Sequence, residues 1–274
     1  RYNGEGLRRL ERGDLGGADE MLQDALREAE LVDDLQGQAE AWNNLGALAS
    51  ARGQLERAWA CHASALRLYG ERGERDAGEV RSRSNLGGVM LRLGDEAGAA
   101  QQFEQAATLA AALGDDAAGA MARVGLAAAA LRRGAVTEAR DAARREASGG
   151  RRRGDDGAVA AALSIEAAAL EASGAPAEAQ ARLEEALAID RRREQPRAVA
   201  DDLRSLARLA EARGDRAGAA SWRARAARAL RRMGEVGQAR DELRRAVDLL
   251  GGQGDEARRL QGELDALDAV PSGR

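Results

Sequence analysis

The chain is predicted to be all-α, a tandem array of short helical hairpins, on three observations. Ala18, Ala58, Ala99, Ala139, Ala179 and Ala219 recur at steps of 40 or 41 residues. Each follows a glycine by five residues (Gly13, Gly53, Gly94, Gly134, Gly174, Gly214), so a turn and an alanine travel together. Aromatics make up 2% of the chain and only three prolines occur, while alanine, arginine, glutamate and leucine dominate, which favours helix over strand. A long period held over six copies implies one supersecondary unit repeated in tandem, each copy burying its apolar face on its neighbours.

The elements follow in order. Tyr2-Asn3-x-x-Gly6 aligns with Trp42-Asn43-x-x-Gly46, well inside a first helix, so the chain is expected to be a fragment with residues missing upstream. In the second copy a first helix is expected over 38–52. Gly53 ends it, because glycine accepts the left-handed cap and tight turn. The second helix should cover 55–69, and Gly73-Glu-Arg-Asp76 then leads to the third copy. Gly94-Asp95 and Gly214-Asp215 repeat the turn with an aspartate able to cap the next helix. The glycine-rich stretch from Ser148 to Asp156 reads as a frayed, flexible link rather than a phosphate loop.

In the fifth copy Glu166 stands where Leu45 sits in the second, which predicts looser packing. After Gly214 the spacing halves, since Gly234 follows 20 residues later, and Ala239-x-x-x-Leu243-x-x-Ala246 again reads as a second-helix pattern. Either one helix has been lost or helix 216–232 serves both roles. Helices near 235–250 and 254–269 would cap the array. The expected organisation is thus about six hairpins over 1–234, the first truncated, and capping helices with a short tail over 235–274.

Gly6, Gly46, Gly87, Ala127, Ala167 and Ala207 hold one site on the first helices. The alanine ladder is expected to face it, since bulk at either site would push the helices beyond a close approach of about 8 Å. Leu22, His62, Phe103 and Leu183 follow the ladder by four residues as larger knobs.

The set Trp42-x-x-Leu45-Gly46…Ala58-x-x-x-His62-x-x-Ala65 resembles the tetratricopeptide repeat (TPR), and the resemblance covers about residues 1–234. With its longer unit, Asn-Leu-Gly on the first helix and Gly-Asp turns, the chain is similar to the repeats of LGN/Pins polarity adaptors and kinesin light chain. The residues beyond the usual length of about 34 are expected in the second helix and its link. The usual tyrosine site departs, holding Ala49, Met90, Ala130, Leu170 and Ala210. The resemblance implies a right-handed superhelical solenoid of antiparallel helix pairs, with a concave groove lined by first helices that binds a peptide or helix.

Helix geometry selects the residues sharing that face: Asn43, Asn44, Arg81, Asn85, Arg92, Val124, Arg132, Ile165, Arg204 and Arg208. Asn44 and Asn85, before Leu-Gly, resemble the asparagines with which family members bind a peptide backbone. A carboxamide offers both donor and acceptor to a main chain. Replacing both by alanine is expected to weaken a partner without lowering stability. The arginines could pair with carboxylates, so a protein or peptide partner with acidic and small apolar residues is expected.

Other chemistry is poorly served. His62 is the only histidine and takes an aromatic's place on a second helix, so it reads as a core residue. Cys61 has no other histidine to activate it. All 42 basic residues are arginine, and a Walker A loop needs lysine. No catalytic, cofactor-binding or metal-ligating residues are therefore expected, and the chain is read as not an enzyme. The runs Arg151–Arg153 and Arg191–Arg193 lack interleaved aromatics, which argues against nucleic acid. No apolar run approaches the roughly 18 to 20 residues that cross a bilayer, and no signal-like segment opens the chain, so a cytoplasmic setting without a membrane is expected. Arginine without lysine, on an alanine-rich background, suggests a GC-rich bacterial coding sequence. A second reading is a ligand- or peptide-sensing module of a larger bacterial regulator or signalling ATPase.

Overall fold

The computed structural model describes residues 2–252 and 254–269. Among the described residues there are fourteen α-helices and no strand. The first eight are α1 (Tyr2–Glu11), α2 (Leu15–Leu31), α3 (Leu35–Ala51), α4 (Leu55–Arg72), α5 (Ala77–Leu93), α6 (Glu96–Leu113), α7 (Asp116–Arg132) and α8 (Val136–Arg153). The others are α9 (Asp156–Ala172), α10 (Pro176–Arg192), α11 (Pro196–Ala212), α12 (Arg216–Arg232), α13 (Val236–Leu250) and α14 (Gly254–Asp268). The chain divides into two compact units, residues 1–165 and 166–274, and the division falls at a position within the α9 segment.

The beat of the backbone is 20 residues. From Gly13 to Gly234 a residue with positive φ recurs at every junction, 20 or 21 positions apart, and glycine occupies all but two. Asp33 (φ 53°) and Glu194 (φ 54°) take the same left-handed conformation at the exceptions. The apparent halving after Gly214 is therefore no irregularity. Gly234 separates successive pairs just as Gly73, Gly114 and Gly154 do, and no helix has been lost. Helix α13 is a first helix by alternation, yet Ala239, Leu243 and Ala246 join the core that holds Ala220, Ala224 and Ala227 of α12. Helix α12 thus packs on both α11 and α13. On the far side of α13, Leu260, Leu264 and Leu267 of α14 complete the core.

Aspartates close most junctions. Asp14, Asp34, Asp95, Asp115, Asp155 and Asp215 each accept a hydrogen bond from the backbone N–H three residues on, at 2.8–3.0 Å. Asp76 accepts from both Gly78 and Glu79. Such a cap contributes about 1 kcal/mol by satisfying an amide that the helix leaves unpaired.

First and second helices are nearly equal, 17 residues for α3, α5 and α7 against 18 for α4, α6 and α8. The additional length is thus shared between both helices, not gathered in the second helix and its link. The expected flexible link at 148–156 is also corrected: α8 continues through Arg153 and ends on the left-handed Gly154. Gly149 and Gly150 are buried within it, and a Cβ built on Gly150 would lie 2.8 Å from Val159 Cγ2. Glycine here permits close helix approach instead of fraying.

The ladder alanines are at most 1% exposed, but what faces the small first-helix site is the knob four residues later. A Cβ on Gly6 would sit 2.6 Å from Leu22 Cδ2, one on Gly46 2.6 Å from His62 Cε1, and one on Gly87 2.8 Å from Phe103 Cε1. The Phe103 ring also fills the space above Gly125 of α7, so it locks three helices together. In residues 166–274 Ala167 and Leu183 belong to one buried core. Looser packing at Glu166 is not seen: the carboxylate is 2% exposed and lies 3.4 Å from Arg182 Nε.

Within residues 1–165 successive first helices approach one another, α1 to α3, α3 to α5 and α5 to α7, whereas the second helices do so less. This unit therefore curves toward its first helices. Two neighbouring glycines separate packing from propensity. Gly87→Ala should lower stability by about 1–3 kcal/mol through overpacking on Phe103. Gly88 meets nothing within 4 Å, so Gly88→Ala should raise stability by roughly 0.5–1 kcal/mol. Thermal melts giving both variants the same sign would contradict the close crossing.

Candidate peptide-binding face

Residues one turn apart on α3, α5 and α7 form the face that the curvature exposes. On α5 the exposed stripe is Arg81, Asn85 and Arg92. On α3 it is the half-buried Glu40 and Asn44, and on α7 Met121 and Arg132, with Met121 49% exposed. Half-buried Ile165 ends the unit on α9. Met121 occupies the register of Arg81 one copy on; spacing alone would have flagged it, although its residue type did not suggest a polar contact.

The stripe is narrower than helix counting implied. Asn43 is buried, at 9% exposure, and Val124 at 5%. Asn43 stands one position before the half-buried Asn44, where its side chain turns into the seam between first helices, and Val124 is followed by the buried Gly125. Asn43 Oδ1 accepts from Asn85 Nδ2 across that seam at 3.1 Å. Asn3 Oδ1 accepts from Asn44 Nδ2 in the same way at 3.4 Å. A ladder of asparagines thus stitches successive first helices together. The two residues expected to grip a main chain already spend one N–H on the neighbouring copy. Each keeps its carboxamide oxygen and second N–H, held in a fixed orientation.

Asn43 Oδ1 also lies 3.1 Å from His62 Nδ1, behind the face. Since the oxygen can only accept, His62 carries its proton on Nδ1. Burial pushes the His62 pKa down to about 4, so the ring is neutral at pH 7. Arg92 Nη1 donates to the Ser50 carbonyl at 3.1 Å, and Arg132 Nε sits 3.7 Å from Glu96 Oε1. Arg81 has no carboxylate partner among the described residues.

Residues 37–112 match the model of the tetratricopeptide repeat, and they span α3 to α6, which include two of the first helices of this face. Residues 37–112 carry tetratricopeptide repeats. No curated protein matches it. Solved structures of this fold include BtubC (BKLC) from P. vanneervenii, 21% identical, covering 80% of this chain and 91% of that one, with TM-score 0.56. A Rap protein complexed with Competence and Sporulation Factor is 14% identical over 97% of this chain and 73% of that one, with TM-score 0.72. The signal transduction ATPase with numerous domains from Pyrococcus horikoshii, which has a tetratricopeptide repeat sensor, is 15% identical over 94% of this chain and 39% of that one, with TM-score 0.64. At these identities the likeness is one of fold.

The repeats of residues 166–274 treat their predicted site residues differently. Arg208 is exposed, 3.3 Å from Ser205 Oγ. Arg204 is held in place: its Nε donates to Glu242 Oε1 at 3.0 Å and its Nη2 to Gln238 Oε1 at 2.9 Å, both on α13. Behind it Arg223 stands at the knob position four residues after Ala219, 6% exposed. Burial works against its charge, but hydrogen bonds to Glu211 (2.6 Å) and Glu242 (2.7 Å) outweigh that and raise its pKa. An ionic knob replaces the apolar one. Sequence reading missed it because it sought bulk, not charge, at that site. Among the described residues no group of three His, Cys, Asp or Glu side chains is placed to hold a metal ion, and no helix is long and apolar enough to cross a membrane.

Two measurements follow from these buried polar groups. The unfolded chain protonates His62 near pH 6.5 while the fold resists until about 4. The unfolded state thus takes up the proton first, and stability present above pH 6.5 should fall by up to about 3 kcal/mol on descending to pH 4. Urea titrations of His62→Phe, which restores the aromatic found at Phe103, should lack this component of the pH dependence. Arg223→Met should cost about 3 kcal/mol, because Glu242 stays buried with one cation removed; an unchanged urea midpoint would deny the pair its structural role.

Proposed function

We propose that this chain is a non-catalytic interaction module whose first-helix face in residues 1–165 holds an extended or helical peptide. The observation that carries the reading is Arg81. It is exposed one turn before Asn85 on α5, with no salt-bridge partner among the described residues, and the ladder holds the carboxamides of Asn44 and Asn85 in fixed orientation. Pre-set donors and acceptors lower the ordering cost of binding. Arg81, Arg92 and Arg132 against Glu40 favour acidic partner residues, and Met121 with Ile165 favours small apolar ones. Asn43 and Val124 support this face from beneath. Arg204 and Arg208 belong to the corresponding first-helix face of residues 166–274, with Arg208 its exposed cation.

A second reading is a peptide-sensing regulatory module. The similarity to a Rap protein complexed with Competence and Sporulation Factor and to a signalling ATPase with a repeat sensor supports it. Both readings place a peptide on the same face and differ in what the bound state controls.

Affinity capture with the full chain, followed by calorimetry on the recovered partner, tests the face. Arg81→Glu should weaken binding at least about tenfold, as removal of a central anchor does, with an unchanged melting temperature. Asn44→Ala with Asn85→Ala should weaken it too. That double variant should also lose about 1 kcal/mol of stability per inter-helix hydrogen bond, a correction to the stability-neutral outcome the sequence implied. Binding indifferent to both sets of changes would rule the face out.

A further inference from the structure

A cleft in residues 166–274, distinct from the peptide face, gathers positive charge that the fold leaves uncompensated. It lies where the last turns of α10 and α12 meet the first turn of α11, and measures about 500 Å³. Pro196, Val199, Leu203 and Ala229 provide an apolar floor. Arg191, Arg225, Arg228 and Arg232 stand around it, and the buried Asp190 and exposed Glu194 also line it.

Pairing removes some of these charges. Arg228 Nη2 donates to Glu263 Oε1 at 2.8 Å, and Asp190 accepts from Arg193 at 2.9 Å. Arg191, Arg225 and Arg232 have no carboxylate partner among the described residues, which leaves three guanidiniums facing Glu194. Arg225 lies over the Trp222 ring, 4.2 Å from its centroid, so its plane is fixed. Burial, and the like charge of Arg191, lower its pKa, a cost that an anion between the two would relieve.

The helix entering the cleft adds to the field. Asp34, Asp115 and Asp155 give the third residue of their helices an acceptor, whereas Gln195 makes no side-chain cap at the start of α11. Pro196 opens the helix without an N–H, and the positive end of the helix dipole lies at the cleft beside Glu194. Dimensions of this order suit a small ligand. A planar carboxylate matches a fixed guanidinium fork, and the floor asks for a hydrocarbon body that a bare inorganic anion lacks.

We propose that this cleft binds a small carboxylate amphiphile, its carboxylate between Arg191 and Arg225 at the start of α11 and its aliphatic body on Pro196, Val199 and Leu203. The test is an NMR titration of the full chain with sodium octanoate, following arginine side-chain N–H resonances. Octanoate should shift Arg191 and Arg225 saturably, while octanol should not. Arg225→Gln should weaken octanoate at least about tenfold by loss of a charge-assisted hydrogen bond. Val199→Asp should abolish binding with the helical circular dichroism intact, and Arg258→Gln, on α14 and not among the residues lining the cleft, should leave it unchanged. Absence of saturable shifts, or equal affinity in the well-folded Arg225→Gln and Arg191→Gln variants, would overturn the assignment. Inorganic phosphate binding as tightly as octanoate would also overturn it, by reducing the site to a charge cluster.

Discussion

A bulky side chain seated on a residue with almost no side chain sets the geometry of the helix pairs. Leu22 on Gly6, His62 on Gly46 and Phe103 on Gly87 bring two helices to a separation at which only glycine or alanine fits. Neighbouring pairs share these contacts, as when Phe103 also covers Gly125. Phe103 thereby clamps α6 to the first helices on both sides of it, α5 and α7. The left-handed junctions keep every helix short enough that the clamp falls at the same height each time. Displacing one knob would alter a crossing and, through it, the face that the next first helix presents.

Polar contacts fix what packing leaves free. Alanine-rich surfaces slide, because many registers bury similar area, and few aromatics are available to choose among them. The asparagine steps and the Arg204–Glu242–Arg223 network supply direction: each bond has one productive register, and a mispaired buried polar group is costly. The same residues orient the candidate peptide face. Recognition and register are thus built from one set of side chains. Removal of a groove asparagine acts on both.

The two candidate ligand regions use arginine differently. On the first-helix face Arg81 is exposed and solvated, suited to steering an acidic partner. In the cleft by α11, Arg225 is pinned by Trp222 and Arg191 sits close enough to disfavour its charge. The second arrangement is the more costly in the free state, and so the more selective for a matching anion.

Much of the fold was legible in the sequence. The glycine–alanine beat determines helix pairs because left-handed turns and close crossings have few substitutes among the amino acids. The 20-residue regularity was harder to read, since Asp33 and Glu194 hide two junctions behind residues that seldom take positive φ. Helix counting placed Asn44, Arg81, Asn85, Arg92, Arg132 and Arg208 near solvent. It could not tell that Asn43 and Val124 are buried. That depends on how neighbouring first helices lean together, which periodicity within a single helix does not contain. The ionic knob at Arg223 and the cleft around Arg225 came from tertiary structure alone, because their partners lie on helices whose spacing along the chain carries no record of who meets whom.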